Sequence, residues 1–209
     1  MSASASTAQL LAFPGPGIAL RAALLAQLKQ HRLPEHLIEA FIREAAALPV
    51  CGIDEALVEV LAQRMRPAKL SPAARIFLIG PSGAGVSSVA EKLRHQARSR
   101  NRTIAVESRS FNPRNMRART AFGCLSERPG MEAIGVVSAL ADAEEIGEII
   151  SAFRLGRIIV TGLDMAGRLG ALTAAVTQGA ELVGVTRSSK AEMPLEPLPP
   201  RELAAMLLC

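Results

Sequence analysis

Apolar residues recur at helical spacing through the first third of the chain, which predicts a small bundle of helices. The clearest apolar face carries Leu37, Ile38, Phe41, Ile42 and Ala45. Pro34 lies where that segment begins, and proline's missing N–H costs nothing there because the first helical turn has no acceptor for it. Each segment is too short to be stable alone, so the helices should pack on one another. We predict helices over residues 18–28, 35–45 and 55–64, preceded by a flexible tail over residues 1–16 and followed by a linker over residues 66–72.

From residue 71 onward, short apolar runs alternate with helical segments. The first run, Arg75-Ile-Phe-Leu-Ile79, is rich in strand-forming residues. Alternation of this kind predicts βαβ units and a parallel sheet whose two faces are covered by helices. We therefore predict an α/β fold of the P-loop type, with a helical N domain over residues 17–70 and a second domain over residues 71–209. Its sheet should have about five strands, over residues 75–79, 103–106, 133–137, 157–161 and 182–185.

Composition narrows the class of protein. The chain has 209 residues, of which 49% are apolar, as is typical of a globular protein. Aromatic residues make up only 3%, so we expect no platform that stacks nucleic-acid bases. No run of about 18 apolar residues occurs, which predicts that no helix spans a membrane. Cys51, Cys124 and Cys209 lie far apart, and this favours reduced thiols in a cytoplasmic protein.

Positive charge is concentrated in the middle of the chain. The net charge is +5 at pH 7. The arginines of this region are Arg94, Arg98, Arg100, Arg102, Arg109, Arg114, Arg117 and Arg119. A solvated face of helix and loop is the simplest interpretation. The alternative is a contact for an acidic protein, RNA or an anionic membrane, with Arg114, Arg117 and Arg119 as the partner surface. In that case the cytoplasmic protein would also be peripheral at the inner membrane.

A glycine-rich stretch, Gly80-Pro-Ser-Gly-Ala-Gly-Val-Ser-Ser88, follows the first predicted strand and precedes a predicted helix. This context suits a phosphate-binding loop of the pattern G-x-x-x-x-G-K-[ST]. Backbone N–H groups in such a loop point towards a phosphate, and the helix N-terminus adds partial positive charge. The candidate nucleotide-binding residues of the loop are Gly80, Ser82, Gly83, Gly85, Val86, Ser87 and Ser88.

The loop lacks the lysine of the pattern, because Val86 occupies its position. Phosphoryl transfer depends on positioning and on neutralisation of charge, and valine brings no cation to the β- and γ-phosphates. Ser87 keeps a hydroxyl at the position that would hold Mg²⁺. We therefore expect GTP with Mg²⁺ to bind weakly or not at all, and no efficient GTPase activity. The alternative interpretation is a plain glycine-rich turn without a ligand.

The order of these features resembles the family of signal-recognition-particle GTPases. A helical bundle precedes the loop strand, as in that family's N domain, and the loop is similar to the family's G-P-T-G-x-G-K-T-T with the lysine replaced. Thr161-Gly-Leu-Asp-Met-Ala-Gly-Arg-Leu-Gly170 resembles the guanine-reading segment, T-K-x-D followed by a glycine. The resemblance implies that Thr161 and Asp164 belong to the nucleotide site and that Gly162 replaces a lysine.

The last part of the chain, from Val185 through Pro197 to Leu208, is most similar to the flagellar-placement branch of this family, FlhF. That branch forms nucleotide-dependent dimers, so the resemblance implies a protein partner, in a homodimer or a heterodimer. It also implies a place in flagellar biosynthesis or in protein localisation.

Two motifs of the family are altered here. D-T-A-G-R, which senses the γ-phosphate, normally lies well before T-K-x-D, whereas the single segment Asp164–Arg168 resembles both. We infer that about one βα unit has been lost and that the two motifs have merged. Asp164 can then descend from either motif. The simpler interpretation of Asp164 is a helix N-cap that follows a strand. The family's D-T-x-R segment is unrecognisable around Ser110–Arg114. His31, His36 and His95 lack the spacing of metal ligands and are expected on the surface.

Three functions follow from these observations. The first is a degenerate relative of the GTPases that acts as a binding or regulatory module. The second is a nucleotide hydrolase that works slowly with Ser87 and a cation supplied by a partner. The third is a protein that binds RNA or an anionic membrane surface through its arginine-rich region.

Overall fold

The computed structural model describes residues 16–49, 52–70, 75–112 and 130–209. These ranges contain seven α-helices and six β-strands, together with a short 3-10 helix over Leu163–Met165. In chain order the elements are α1 (Pro16–Gln30), α2 (Glu35–Ala47), α3 (Ile53–Arg64), β1 (Arg66–Pro67), β2 (Arg75–Pro81), α4 (Val86–Ser99), β3 (Ala105–Phe111), β4 (Met131–Ser138), α5 (Ala143–Phe153), β5 (Arg157–Thr161), α6 (Gly170–Thr177), β6 (Glu181–Val185) and α7 (Pro200–Leu207).

All six strands belong to one parallel sheet in the order β1-β6-β5-β4-β2-β3. β2 is buried from Ile76 to Gly80, as expected of a parallel strand covered on both faces. The predicted α/β fold is confirmed, but the sheet has six strands where the sequence predicted about five. The additional strand is β1, which pairs with β6 inside the segment predicted as a linker.

The two faces of the sheet carry separate apolar layers. Ile76 and Leu78 point to the face covered by α4, where they form one core cluster with Val89. Phe77 and Ile79 point to the opposite face and join a larger cluster. Because side chains alternate along a strand, a single apolar run serves both layers. The larger cluster continues into α1, α2, α3, α5, α6 and α7.

Helix α6 joins the helical bundle to the sheet. All eight of its residues are buried, six of them Gly, Ala, Leu or Val and two of them Thr, so no face of this helix is left for solvent. The Gly170 N–H donates to the His31 carbonyl oxygen at 2.9 Å. A Cβ at Gly170 would lie 2.4 Å from the Arg32 carbonyl oxygen, so glycine permits this close approach. The bundle is thus fixed to the layer that carries the candidate site.

Some sequence predictions concern residues outside the described ranges. They include residues 1–15 of the predicted tail, together with Cys51 and Cys124; the last residue of that tail, Pro16, begins α1. Cys209 is a free and exposed thiol. No helix in the described ranges is long and apolar enough to cross a bilayer.

Candidate functional site

The glycine-rich loop joins β2 to α4 with the backbone of a phosphate-binding turn. Gly83 and Gly85 have φ angles of +90° and +82°, a region that favours glycine. Ser82 is exposed and lies at the base of the turn, where its N–H donates to the Phe111 carbonyl oxygen at 3.0 Å. Ala84 N–H donates to the Pro81 carbonyl oxygen at 3.0 Å. These two backbone hydrogen bonds fix the conformation of the loop.

The N-terminus of α4 remains open to a ligand. The helix begins at Val86 after Gly85, and no side chain caps it. The N–H groups of its first turn have no acceptor within a helix, and the helix dipole places partial positive charge there. Ser87 is exposed and Ser88 is half-buried in this turn. The backbone N–H groups of this turn can therefore donate hydrogen bonds to an anion.

Val86 faces the protein interior. Its side chain is 3% exposed and belongs to the apolar cluster under α4. A Cβ built on Gly80 would lie 3.0 Å from its Cγ2 atom and 2.2 Å from the Val136 carbonyl oxygen. Gly80 is therefore a position of close approach between β2, β4 and the start of α4. The base of the loop holds an apolar side chain where the pattern requires a cation.

Thr161 connects the loop to the end of β5. Its hydroxyl donates to the Ala84 carbonyl oxygen at 2.7 Å, and the Val137 carbonyl oxygen lies at 3.3 Å. The side chain is buried, so these acceptors are shielded from water. One residue later, the Gly162 N–H donates to the Thr186 hydroxyl at 3.2 Å. The predicted guanine-reading segment and the loop are thus in direct contact.

A small cavity lies between these two segments. Its volume is about 170 Å³, and its lining includes Gly83, Gly85, Ser88, Thr161 and Asp164. Five of the candidate residues therefore meet around one space. Typical ligand pockets measure roughly 300–1,000 Å³, so this cavity is too small to enclose a nucleoside triphosphate. A second cavity of about 290 Å³ borders the other side of the loop, with Ser82 and Gly83 in its lining.

Lys92 lines the first cavity and was not predicted as a site residue. Its side chain is 1% exposed. The ammonium donates to the Met193 carbonyl oxygen at 3.1 Å and also to the carbonyl oxygen of Lys190. Burial lowers the pKa of Lys92, and the nearby carboxylates of Glu192, Asp164 and Glu196 partly oppose that effect. The cavity therefore contains a cation, but the 190–193 segment already engages it.

The sequence carried a signal for this lysine. Lys92 lies three residues after Val89 and next to Leu93, on the buried face of α4. A charged residue at such a position must find partners, because an unpaired buried charge is costly. Its acceptors lie 98 and 101 residues further along the chain, and local periodicity does not reveal them.

Two exposed apolar side chains lie over Gly162. A Cβ on Gly162 would lie 3.5 Å from Leu140 Cγ and 3.8 Å from Met165 Cε. Leu140 is 53% exposed and Met165 is 65% exposed, and both line the cavity. If this segment corresponds to the T-K-x-D pattern, as the resemblance implies, Gly162 lies at the position of the lysine, and apolar side chains surround it.

Asp164 does not cap a helix. It lies within the 3-10 helix, and Gly162 is the residue that precedes that helix. The next helix, α6, begins at Gly170 without a side-chain cap, so the N-cap interpretation is wrong. Asp164 follows β5, which β4 separates from the loop strand β2. Two strand spacings amount to roughly 9–10 Å.

The described residues offer Mg²⁺ few ligands. No group of three or more His, Cys, Asp or Glu side chains that could hold a metal occurs among them. Ser87 is exposed, and its hydroxyl lines neither cavity beside the loop. Mg²⁺ is usually held by one or two carboxylates together with substrate phosphates. Ser87 could therefore contribute to such a site only beside the phosphates of a bound nucleotide.

The remaining candidates lie elsewhere. Arg114, Arg117 and Arg119 are outside the described residues. His31 was expected on the surface, but this expectation is wrong because its side chain is 6% exposed. Its Nδ1 atom accepts from the Leu169 N–H at 3.3 Å. The tight contact of α6 with the end of α1 encloses the imidazole.

The sheet order, the helical bundle and the loop together define the fold of the signal-recognition-particle GTPases. Among solved structures, FlhF in complex with GMPPNP and Mg²⁺ has a TM-score of 0.73 and 14% sequence identity to this chain, covering 94% of it and 100% of FlhF. The cell division protein FtsY from Thermotoga maritima has a TM-score of 0.63 and 15% identity, covering 90% and 88% of the two chains. The signal recognition particle 54 kDa protein from Aeropyrum pernix, in complex with GDP, has a TM-score of 0.58 and 19% identity, covering 91% and 63%.

These likenesses establish the fold. The resemblance found in the sequence, both to the GTPase family and to FlhF, is confirmed at that level. No protein-family model matches the chain, and no curated protein sequence matches it.

Proposed function

We propose that this protein is a degenerate relative of the signal-recognition-particle GTPases and acts as a binding or regulatory module. The observation that carries the proposal is the buried Val86 at the base of an otherwise intact phosphate-binding turn. The loop keeps its glycines and its open helix N-terminus, so anion recognition survives in part. The cation that would neutralise the β- and γ-phosphates is missing, and phosphoryl transfer depends on such neutralisation.

The position of Asp164 supports a second element of this proposal. A γ-phosphate sensor must approach the phosphate loop, whereas a base-reading residue lies further along the nucleotide. Asp164 lines the cavity beside the loop, but its strand β5 lies two strands from β2 in the sheet, and we take this strand order to favour descent from the base-reading motif. On this interpretation the γ-phosphate sensor belonged to the βα unit that the chain has lost. The likeness to FlhF extends the proposal to flagellar biosynthesis or protein localisation, with a protein partner.

The proposal includes a division of the chain into a helical domain over residues 17–70 and a GTPase-like domain over residues 71–209. Helices α1, α2 and α3 pack on one another, which supports the first unit. β1 belongs to the edge of the sheet although it precedes residue 71. The helical unit therefore contributes a short strand to the sheet of its neighbour.

The alternative enzyme is a slow hydrolase that uses Ser87 and a cation from a partner. Single-turnover GTP hydrolysis, with protein in excess over nucleotide and Mg²⁺ present, separates the two functions. We expect no turnover above the uncatalysed rate, and no change in the Ser87→Ala variant. Turnover that requires Mg²⁺ and disappears in Ser87→Ala would show the hydrolase instead.

A second candidate function is binding to RNA or to an anionic membrane surface. One observation favours it: Arg98, Arg100 and Arg109 are exposed near the β3 edge of the sheet. By contrast, Arg94 donates to the Val106 carbonyl oxygen at 2.7 Å and serves the fold. Binding through exposed arginines should weaken steeply as the salt concentration increases, because salt opposes the release of counterions and screens the attraction between the charges.

A further inference from the structure

A groove between α3 and α7 is larger than either cavity beside the phosphate loop. Its volume is about 710 Å³, and it shares no lining residue with those cavities. One wall is a face of α3 and the other is a face of α7. The groove therefore offers a second surface for binding, independent of any nucleotide.

The α3 wall of the groove is acidic. Asp54, Glu55 and Glu59 line it and are exposed. None of these carboxylates forms an ion pair with another described residue. Glu59 accepts a hydrogen bond from the Gln63 side-chain amide at 2.9 Å. Arg201 on the α7 wall is the one cation in the described lining. An acidic surface in a chain of net charge +5 favours a ligand of positive charge.

The floor of the groove is apolar and lined by small or half-buried side chains. Val58 and Leu208 are half-buried and Ala205 is exposed. The α7 wall uses positions 201, 204, 205 and 208, which is the spacing of one helical face. Alanine on that face permits close approach of another backbone. Two helical walls, an apolar floor and a charged rim are the features of grooves that receive an amphipathic helix.

We propose that this groove binds a cationic amphipathic helix of a partner protein. Apolar side chains of that helix lie on Val58, Ala205 and Leu208, and its flanking lysines or arginines face Glu55 and Glu59. A second copy of this chain is the less suitable occupant. Insertion of one surface of a copy into a different surface of the next is a heterologous contact, which generates open chains unless the rotation closes.

The test uses fluorescence anisotropy with the full chain and a labelled synthetic peptide of leucine and lysine. The peptide has about 18 residues, enough for several helical turns, with leucines along one face. We expect saturable binding, and binding weakened by about tenfold or more in Glu55→Lys/Glu59→Lys, because like charge then faces the peptide. Ala205→Lys, at an exposed position, should weaken binding similarly by charging the floor.

Glu35→Lys/Glu39→Lys on α2 is the matched control, because it reverses two exposed carboxylates at the same spacing. It should bind the peptide as the unmodified chain does. If both double variants weaken peptide binding equally, the binding reflects non-specific charge attraction and the proposal is overturned. Equal binding of a peptide with the same composition in scrambled order would also overturn it. Self-association by sedimentation velocity, lost in Glu55→Lys/Glu59→Lys, would assign the groove to a second copy instead.

Discussion

The Thr161 hydroxyl donates a hydrogen bond of 2.7 Å to the carbonyl oxygen of Ala84, which ties the end of β5 to the centre of the phosphate loop. Both groups are shielded from water, since Thr161 and Ala84 are buried. We predict that Thr161→Val reduces the free energy of unfolding by about 1–3 kcal/mol, because it leaves a buried acceptor without a donor. It should also increase hydrogen exchange in the loop.

Thr177→Val is the control for that variant. The Thr177 hydroxyl likewise donates to a backbone carbonyl, that of Thr173, at 2.7 Å and in a buried position. We expect Thr177→Val to cost less, about 0.5–1.5 kcal/mol, because the Thr173 carbonyl keeps a backbone donor within α6. It should leave hydrogen exchange at residues 80–88 unchanged. If both variants increase exchange there equally, Thr161 has no particular role in holding the loop.

His31 makes stability depend on pH. Burial lowers the pKa of His31, and the Leu207 carbonyl partly opposes this effect. The folded state therefore favours the neutral imidazole, and stability should be lost as pH falls below about 6.5, where the unfolded chain takes up the proton first. Protonation would also remove the Nδ1 acceptor of the Leu169 N–H. Arg32, Arg168 and Asp142 line the neighbouring cavity and are the charged groups around this junction.

Urea unfolding between pH 7 and pH 5 measures this dependence. His31→Asn should reduce the slope of unfolding free energy against pH, because the asparagine does not titrate. His36→Asn, at an exposed position, should leave the slope unchanged. An unchanged slope in His31→Asn would assign the pH dependence to other groups.

The local signals of the sequence account for the sheet and for the loop. β2 is a continuous apolar run followed by glycines. Both features are local in the sequence, so they can be recognised without knowledge of distant contacts. β1 has only two residues, one of them proline, so it carries no period that could predict it. The burial of His31 and the partners of Lys92 depend on segments far apart in the chain. Such long-range contacts arise from packing, and local pattern does not specify them.

Val86→Lys tests descent from a working phosphate loop. Lysine can extend beyond the buried position of Val86 towards a bound phosphate, and we expect GTP affinity to rise by about tenfold, the effect of one charge-assisted contact. The packed surroundings of Val86 should oppose the longer side chain and reduce the free energy of unfolding by about 1–3 kcal/mol.

Val86→Met separates charge from length in that experiment, since methionine is long but uncharged. It should destabilise the fold similarly without raising GTP affinity. Neither variant should hydrolyse GTP, because the proposed γ-phosphate sensor is missing. Robust turnover in Val86→Lys would contradict the loss of that sensor, and unchanged affinity would indicate a loop that no longer receives phosphate.

The exposed arginines near β3 give a prediction about anionic surfaces. We expect Arg98→Glu/Arg100→Glu to reduce salt-sensitive co-sedimentation with vesicles that contain anionic lipid, or binding to RNA, with little effect on thermal stability, because exposed charges contribute little to folding. Arg21→Glu/Arg43→Glu changes the net charge equally at exposed positions in the bundle. Equal losses of binding in both variants would show that the effect depends on the overall charge of the chain and not on the position of these arginines.

The affinity of the unmodified chain for GTP tests the central claim most directly. The claim is that a phosphate-binding turn persists without its cation and beside a cavity of only about 170 Å³. Calorimetric titration with GTP in the presence of Mg²⁺ should give a Kd of about 10 μM or weaker, corresponding to one or two decades lost with the charge-assisted contact. A submicromolar Kd would contradict this account and show that the site binds nucleotide by contacts other than those described.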